Sequence, residues 1–179
     1  MFKELCVEGQ DYGVIPYYLR HYADDLVKLR IEANRENYRG KPQKVRSGKM
    51  NSILLGEVER EYYTDFIGIL GELIVRRYFE IDPRFEWYAS QTMIQSRGSD
   101  GQDIAVKMVG ETDEISVNVK AVEGSLKANK RAVDVSDCDI YIFIRFISET
   151  TFVPYKFTQR EIQEWKVKKA YSPYYNLDV

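Results

Sequence analysis

Asp103, Asn118 and Lys120 put a carboxylate, an amide oxygen and an ammonium on two stretches that alternate apolar with polar residues, Ile104 to Val109 and Ile115 to Val122. A period of two marks a half-buried strand. Gly110, Glu111, Thr112 and Asp113 between them read as a turn, so the two stretches predict a hairpin. Its register follows from the apolar residues alone. Pairing Val109 with Glu114 sets Met108 opposite Ile115, Val106 opposite Val117 and Ile104 opposite Val119 on one core face. The same register sets Asp103 opposite Lys120 on the other face, with Asn118 two residues along the strand from Lys120. Three such groups converging could hold a hard divalent cation and a water beside a phosphate. Taken as a pair, Asp103 and Lys120 also fit an ordinary cross-strand salt bridge.

Upstream, Asp65 to Phe79 (DFIGILGELIVRRYF) is apolar around most of a helical circumference, as in a helix buried on more than one side. Gly68 and Gly71 fall near Val75 on the side expected to lie close against a sheet, with Glu72 at its edge. The order of these parts is a helix carrying Gly71 and Glu72, an Asp at a strand start (Asp103), the strand SVNVK (Ser116 to Lys120) and the later run DCDIYIFIRF (Asp137 to Phe146). It resembles the restriction-endonuclease-like, PD-(D/E)XK, nuclease superfamily, whose core runs helix, three strands, helix, strand. The resemblance spans Asp65 to Trp165.

What it implies is a Mg²⁺-dependent nuclease acting on DNA, with Mn²⁺ as an alternative ion. Asp103 would be the principal metal ligand, Lys120 would orient the attacking water and offset charge on the phosphate, and Glu72 would support the metal through water. Asn118 stands where the family's second acid is expected; an amide oxygen still coordinates Mg²⁺ but brings no negative charge. Three outcomes are compatible with that departure: a tolerated variant, compensation by another acid such as Glu72, or an impaired nuclease fold that binds nucleic acid or serves in an assembly. Glu72 and Arg76, four apart on a helix, also fit a surface ion pair. Asp100, in SRGSDGQD, competes as the first acid, although Asp beside Gly is a common turn choice.

The elements that must position these groups read as a mixed α/β fold, a restriction-endonuclease-like core with a central mixed sheet flanked by helices. Residues 1–64 form an N-terminal helical region with a basic loop, and 65–179 the α/β core, in one compact domain overall. Tyr17 to Tyr38 predicts a helix whose stripe is Leu19, Tyr22, Leu26, Leu29 and Ala33, packed on its own domain or forming a homodimer seam. The chain reads as helical again from about Ser52. Phe85 to Met93 is a candidate strand, Ser125 to Ser136 a crossover, and Asp139 to Ile147 a central strand covered on both faces. A short strand at Phe152 to Tyr155 precedes a helix from Gln159 through Trp165, capped by Thr158 and Glu161.

Arg39, Lys41, Lys44, Arg46 and Lys49 gather cations without an acid around Gly40, Pro42 and Gly48, a basic loop suited to phosphates. Lys127, Lys130 and Arg131 follow the hairpin, and Lys166, Lys168 and Lys169 close the last predicted helix. The net charge of -2 argues against a polyanion-binding surface over the whole molecule, so such clusters would act locally. One histidine, His21, cannot supply the paired imidazoles of HNH nucleases, HD phosphohydrolases or HExxH metalloproteases. Cys6 and Cys138 form no CxxC pair, which fits a reducing, cytoplasmic setting. No run approaches the roughly 20 apolar residues of a membrane span, so no membrane association is expected.

Overall fold

Residues 13–37, 48–88, 103–135, 138–170 and 173–178 are described by a computed structural model. Strand β1 (Gly13–Val14) leads into helix α1 (Tyr17–Asn37), and β2 (Lys49–Ser52) and β3 (Gly56–Glu59) lead into α2 (Arg60–Ile81). Strands β4 (Phe85–Tyr88), β5 (Ile104–Met108), β6 (Glu114–Val122) and β7 (Leu126–Asn129) follow, then α3 (Lys130–Asp134) and β8 (Ile140–Phe146). The chain continues through β9 (Thr151–Phe157), α4 (Gln159–Gln163), β10 (Lys166–Lys168) and β11 (Tyr174–Leu177).

The fold is mixed α/β. Its main sheet has the order β1-β9-β8-β6-β5-β4, in which β6 and β8 run parallel and the other neighbours antiparallel. A parallel pair needs a crossover, and β7 with α3 provides it over one face of the sheet. The two faces carry separate cores. Alternate residues of β8, Ile140, Ile142 and Ile144, meet α1 and α2, while Tyr141 and Phe143 meet Val133, Ile162, Trp165 and Tyr175. This is why Asp139 to Ile147 lacks polar alternation: both of its faces are covered.

Helix α2 lies tight on the sheet at Gly71. A Cβ there would stand 2.7 Å from the Ala121 Cβ and 3.7 Å from the Val119 Cγ1, atoms tied to a strand that cannot yield easily. Gly71→Ala is therefore expected to cost about 1–3 kcal/mol through overpacking. Gly68 differs from the sequence expectation, since its Cβ would meet nothing within 4 Å. Gly68→Ala should instead stabilise the helix by up to about 1 kcal/mol through propensity. Urea unfolding of the two variants beside the parent checks the opposite signs.

Several expected elements are corrected. The segment from Ser52 opens as the β2–β3 hairpin, not as helix, and α2 starts at Arg60. The buried stripe of α1 is Leu19, Ala23, Leu26 and Val27, whereas Tyr22 and Leu29 are exposed, because the sheet and α2 meet the helix slightly around from the predicted line. The last helix ends at Gln163, and Lys166 to Lys168 become strand β10, pairing with β11 in a second sheet of order β10-β11-β7. The Thr158 and Glu161 capping box is present as expected. Phe85 to Met93 is a strand as far as Tyr88, and residues 89–93 lie outside the described part. Among the described residues no helix is long and apolar enough to cross a membrane.

Candidate active site

The observed register joins Ile104 to Val117, Ala105 to Ser116, Val106 to Ile115 and Lys107 to Glu114. It is displaced by two residues from the sequence expectation, so Asp103 lies level with Asn118 and not with Lys120. The cause is β4. Met108 pairs with Phe85, Val109 N–H donates to the Arg84 carbonyl at 2.8 Å, and the chain turns through Gly110 at φ +88° before β6 begins. A slip of two preserves every side chain's face. Ile104, Val106 and Val117 are accordingly fully buried on the core side, as expected.

Because β6 has 9 residues and β5 has 5, β6 runs past the start of its neighbour. From Asn118 onward it has no rung with β5, while Asn118 stays paired with Tyr141 and Lys120 with Phe143 on the other side. Asp103 fills the step. Its own N–H donates to the Val117 carbonyl at 2.9 Å, and its Oδ2 accepts the Val119 N–H at 2.7 Å, where a strand carbonyl would otherwise stand. Since Val119 and Ala121 turn toward Gly71, strand alternation puts Asn118 and Lys120 on the opposite face, beside the notch. Asn118 is 5% exposed, and Asp103, Lys120 and Glu72 are partly buried.

Glu72 follows the glycine that brings α2 onto the sheet, so its carboxyl reaches the same electrostatic neighbourhood. Burial, then the charge of Asp103, pushes Glu72 up to about 7, against the opposing pull of Arg76, Arg30 and Lys120. Burial likewise raises Asp103, opposed by Lys120, the Val119 N–H, Arg76 and Arg30. With the folded-state value of Glu72 above its ordinary 4.5, the folded protein holds this proton more tightly than the unfolded chain. Metal-free stability should then fall as pH rises from about 4.5 through about 7, by at most roughly 3 kcal/mol and less where solvent reaches the group. Glu72→Gln should flatten that slope and be the more stable protein at pH 8, as urea midpoints at pH 5 and pH 8 would show.

Arg30 is a partner that sequence reasoning missed, and Arg76 one that it read differently. Arg30 comes from α1, where its Nη1 stands 3.6 Å from the Asp65 Oδ1. Nothing in the sequence announces that a residue of the first helix reaches the hairpin. Arg76 was legible as the residue four after Glu72, yet as a surface pair; it is partly buried and acts on Asp103 as well. The Asp103 carboxylate and the Asn118 amide are oxygen donors of the kind a hard cation such as Mg²⁺ takes, and the Glu72 carboxylate is coupled to Asp103 from the α2 side of the sheet. Among the described residues no group of three or more His, Cys, Asp or Glu side chains is placed for a metal.

A second missed residue is Glu123, just past the end of β6. Its carboxylate accepts the Ser52 Oγ–H at 2.6 Å and the N–H groups of Ile53 and Leu54 at 3.1 Å each. These bonds dock the β2–β3 hairpin beside the strand that carries Lys120. Lys49 on that hairpin is 2.6 Å from Glu57. Arg39, Lys41, Lys44 and Arg46, with the competing acid Asp100, lie outside the described residues. Lys127 is on β7, and Lys130 and Arg131 open α3; Lys130 pairs with Asp134.

Fold and site together define a class: a mixed α/β protein in which Asp103, Asn118 and Lys120 lie where one strand of its central sheet outruns the next, with Glu72 of α2 coupled to Asp103 by charge. No family model, no curated protein and no solved structure matches the chain.

Proposed function

We propose that this protein is a Mg²⁺-dependent nuclease that hydrolyses DNA phosphodiester bonds, built on a restriction-endonuclease-like core. The observation that carries the reading is Asp103 seated where β6 outruns β5, with Asn118 and Lys120 on that stretch of β6 and Glu72 coupled to Asp103 by charge. The order α2, β4, β5, β6, α3, β8 supports it, with the short β7 of the second sheet inserted before α3, being otherwise the order of helix, three strands, helix and strand that the sequence resemblance implies. Asp103, Asn118 and, through water, Glu72 would hold the ion. Bound there, Mg²⁺ supplies Lewis-acid polarisation of the phosphate and acidifies the attacking water.

The chain's own groups do the rest. Val119 N–H fixes the Asp103 carboxylate in one orientation. Lys120 offers donors to the attacking water and a positive charge to the phosphate. Arg30 and Arg76 hold the paired carboxylates in check, so that they do not repel an incoming polyanion as strongly as two free acids would.

A second reading is favoured by one observation: the buried position level with Asp103 is the neutral Asn118. In it the same fold binds nucleic acid, or serves in an assembly, with impaired catalysis. Incubation with linear, nicked, gapped and single-stranded DNA in Mg²⁺, Mn²⁺ or EDTA separates the two. Cleavage in metal that EDTA abolishes supports the nuclease. Binding of these DNAs without cleavage in either metal supports the second reading.

A further inference from the structure

We propose that the outer face of the β10-β11-β7 sheet is a track for single-stranded nucleic acid, separate from the notch. The inference rests on the nucleic-acid partner proposed above and does not depend on cleavage. Cross-strand pairing forms two rungs there: Lys166, Asn176 and Lys127 in one, Lys168, Tyr174 and Asn129 in the next. Leu126, Ala128 and Tyr175 alternate with them and turn inward onto Val133, Ile162 and Trp165, which sends the rung residues to the other face, where Lys127, Asn129 and Lys166 are exposed, Lys168 and Tyr174 half-buried and Asn176 buried between its neighbours.

The Lys127 Nζ lies 5.7 Å from the centroid of the Tyr174 ring, as a shared face requires. Among the described residues Lys127, Lys166 and Lys168 enter no ion pair. The acid at the far end of β11, Asp178, accepts the Asn176 Nδ2–H at 2.8 Å. The face is thus cationic in a protein whose net charge is -2.

A polyanion is the complement of such a face, and the aromatic ring selects its form. Lysines at both margins of the sheet can each take a phosphate, while a tyrosine between them offers a surface for one unpaired base. Bases inside a duplex are already stacked and paired, so they cannot reach Tyr174. The competing role for lysines on β10 is edge protection, since charged side chains on an edge strand block pairing with other chains. That role predicts no anion binding.

The test is anisotropy of a fluorescein-labelled oligo-dT, a matched duplex and an oligomer of abasic sites, in EDTA and at graded salt. The full chain is compared with the triple variant Lys127→Gln, Lys166→Gln, Lys168→Gln and with Tyr174→Leu, each first shown to unfold at the parent's urea midpoint. The triple variant should bind oligo-dT at least tenfold more weakly. Its slope of log K against log salt should shrink by about 2, at roughly 0.7 for each phosphate that is no longer neutralised. Tyr174→Leu should weaken oligo-dT about tenfold and leave the abasic strand unchanged.

Binding of oligo-dT by the triple variant with the parent's affinity and slope overturns the track and leaves the nuclease reading standing. A parent that binds none of the three probes overturns the track as well. Track-dependent binding by a protein that cleaves nothing in Mg²⁺ or Mn²⁺ supports the track and removes the nuclease.

Discussion

Lys120→Ala is expected to lower Mg²⁺-dependent DNA cleavage about 10²–10³-fold, the size of effect seen when one positioned donor or charge is removed from a transition state. The effect should fall on chemistry and not on folding. Lys120 is partly exposed on the stretch of β6 that has outrun β5, and it belongs to neither apolar core. Its ammonium acts against the burial that raises Asp103 and Glu72, so its loss should also make both carboxyls harder to ionise. Lys120→Arg should not restore the rate, because a planar guanidinium is a different donor from a compact ammonium. Single-turnover cleavage measured beside urea unfolding separates the two kinds of loss. A Lys120→Ala protein that cuts at the parent rate would remove this lysine from the reaction.

Asn118→Asp carries the second large effect. Without metal, a new carboxylate enters a buried position level with Asp103, an acid that burial already makes hard to ionise, which should cost about 2–4 kcal/mol near neutral pH. With Mg²⁺ present, the added carboxylate oxygen should tighten metal affinity about tenfold or more. The unfolding midpoint of the variant should therefore respond to Mg²⁺ much more than the parent's. A weakened nuclease would gain rate together with metal, whereas a protein that has become a binder would gain metal alone. If the notch is only an ion network of Arg30, Arg76, Lys120, Glu72 and Asp103, the variant loses stability and Mg²⁺ recovers none of it.

Most of what the sequence made legible was local. Alternation in Ile104 to Val109 and Ile115 to Val122 revealed the hairpin, and parity placed its core face correctly, since a slip of two leaves faces unchanged. The register itself was beyond local reading. It depends on β4 claiming Met108 and Val109, through pairing with a strand from earlier in the chain that is not visible in the hairpin's own pattern. Gly71 announced a close approach and made one; Gly68 carried the same signal and did not, since its side of the helix meets nothing within 4 Å.

The second sheet went unread for a similar reason. Lys166 to Lys168 is too short and too charged to look like a strand, and it becomes one by pairing with Tyr174 to Asn176. Of the candidate site, Asp103, Asn118 and Lys120 were singled out from type and spacing, and Glu72 as the helix acid that the resemblance implies. Arg30 and Glu123 were not, since each acts across a long separation in sequence, from α1 to the notch and from β6 to the β2–β3 turn.

The most direct measurement is calorimetric titration of Mg²⁺ and Mn²⁺ into the full chain, beside Asp103→Asn and Glu72→Gln, each with an unfolding curve to show that it is folded. The parent should bind one equivalent of metal at the notch. Asp103→Asn should lose that binding, and Glu72→Gln should weaken it by less, as suits a residue that acts through water. A folded parent that binds neither ion, or an Asp103→Asn protein that binds both as the parent does, would contradict the assignment of Asp103, Asn118 and Glu72 as a nuclease metal site.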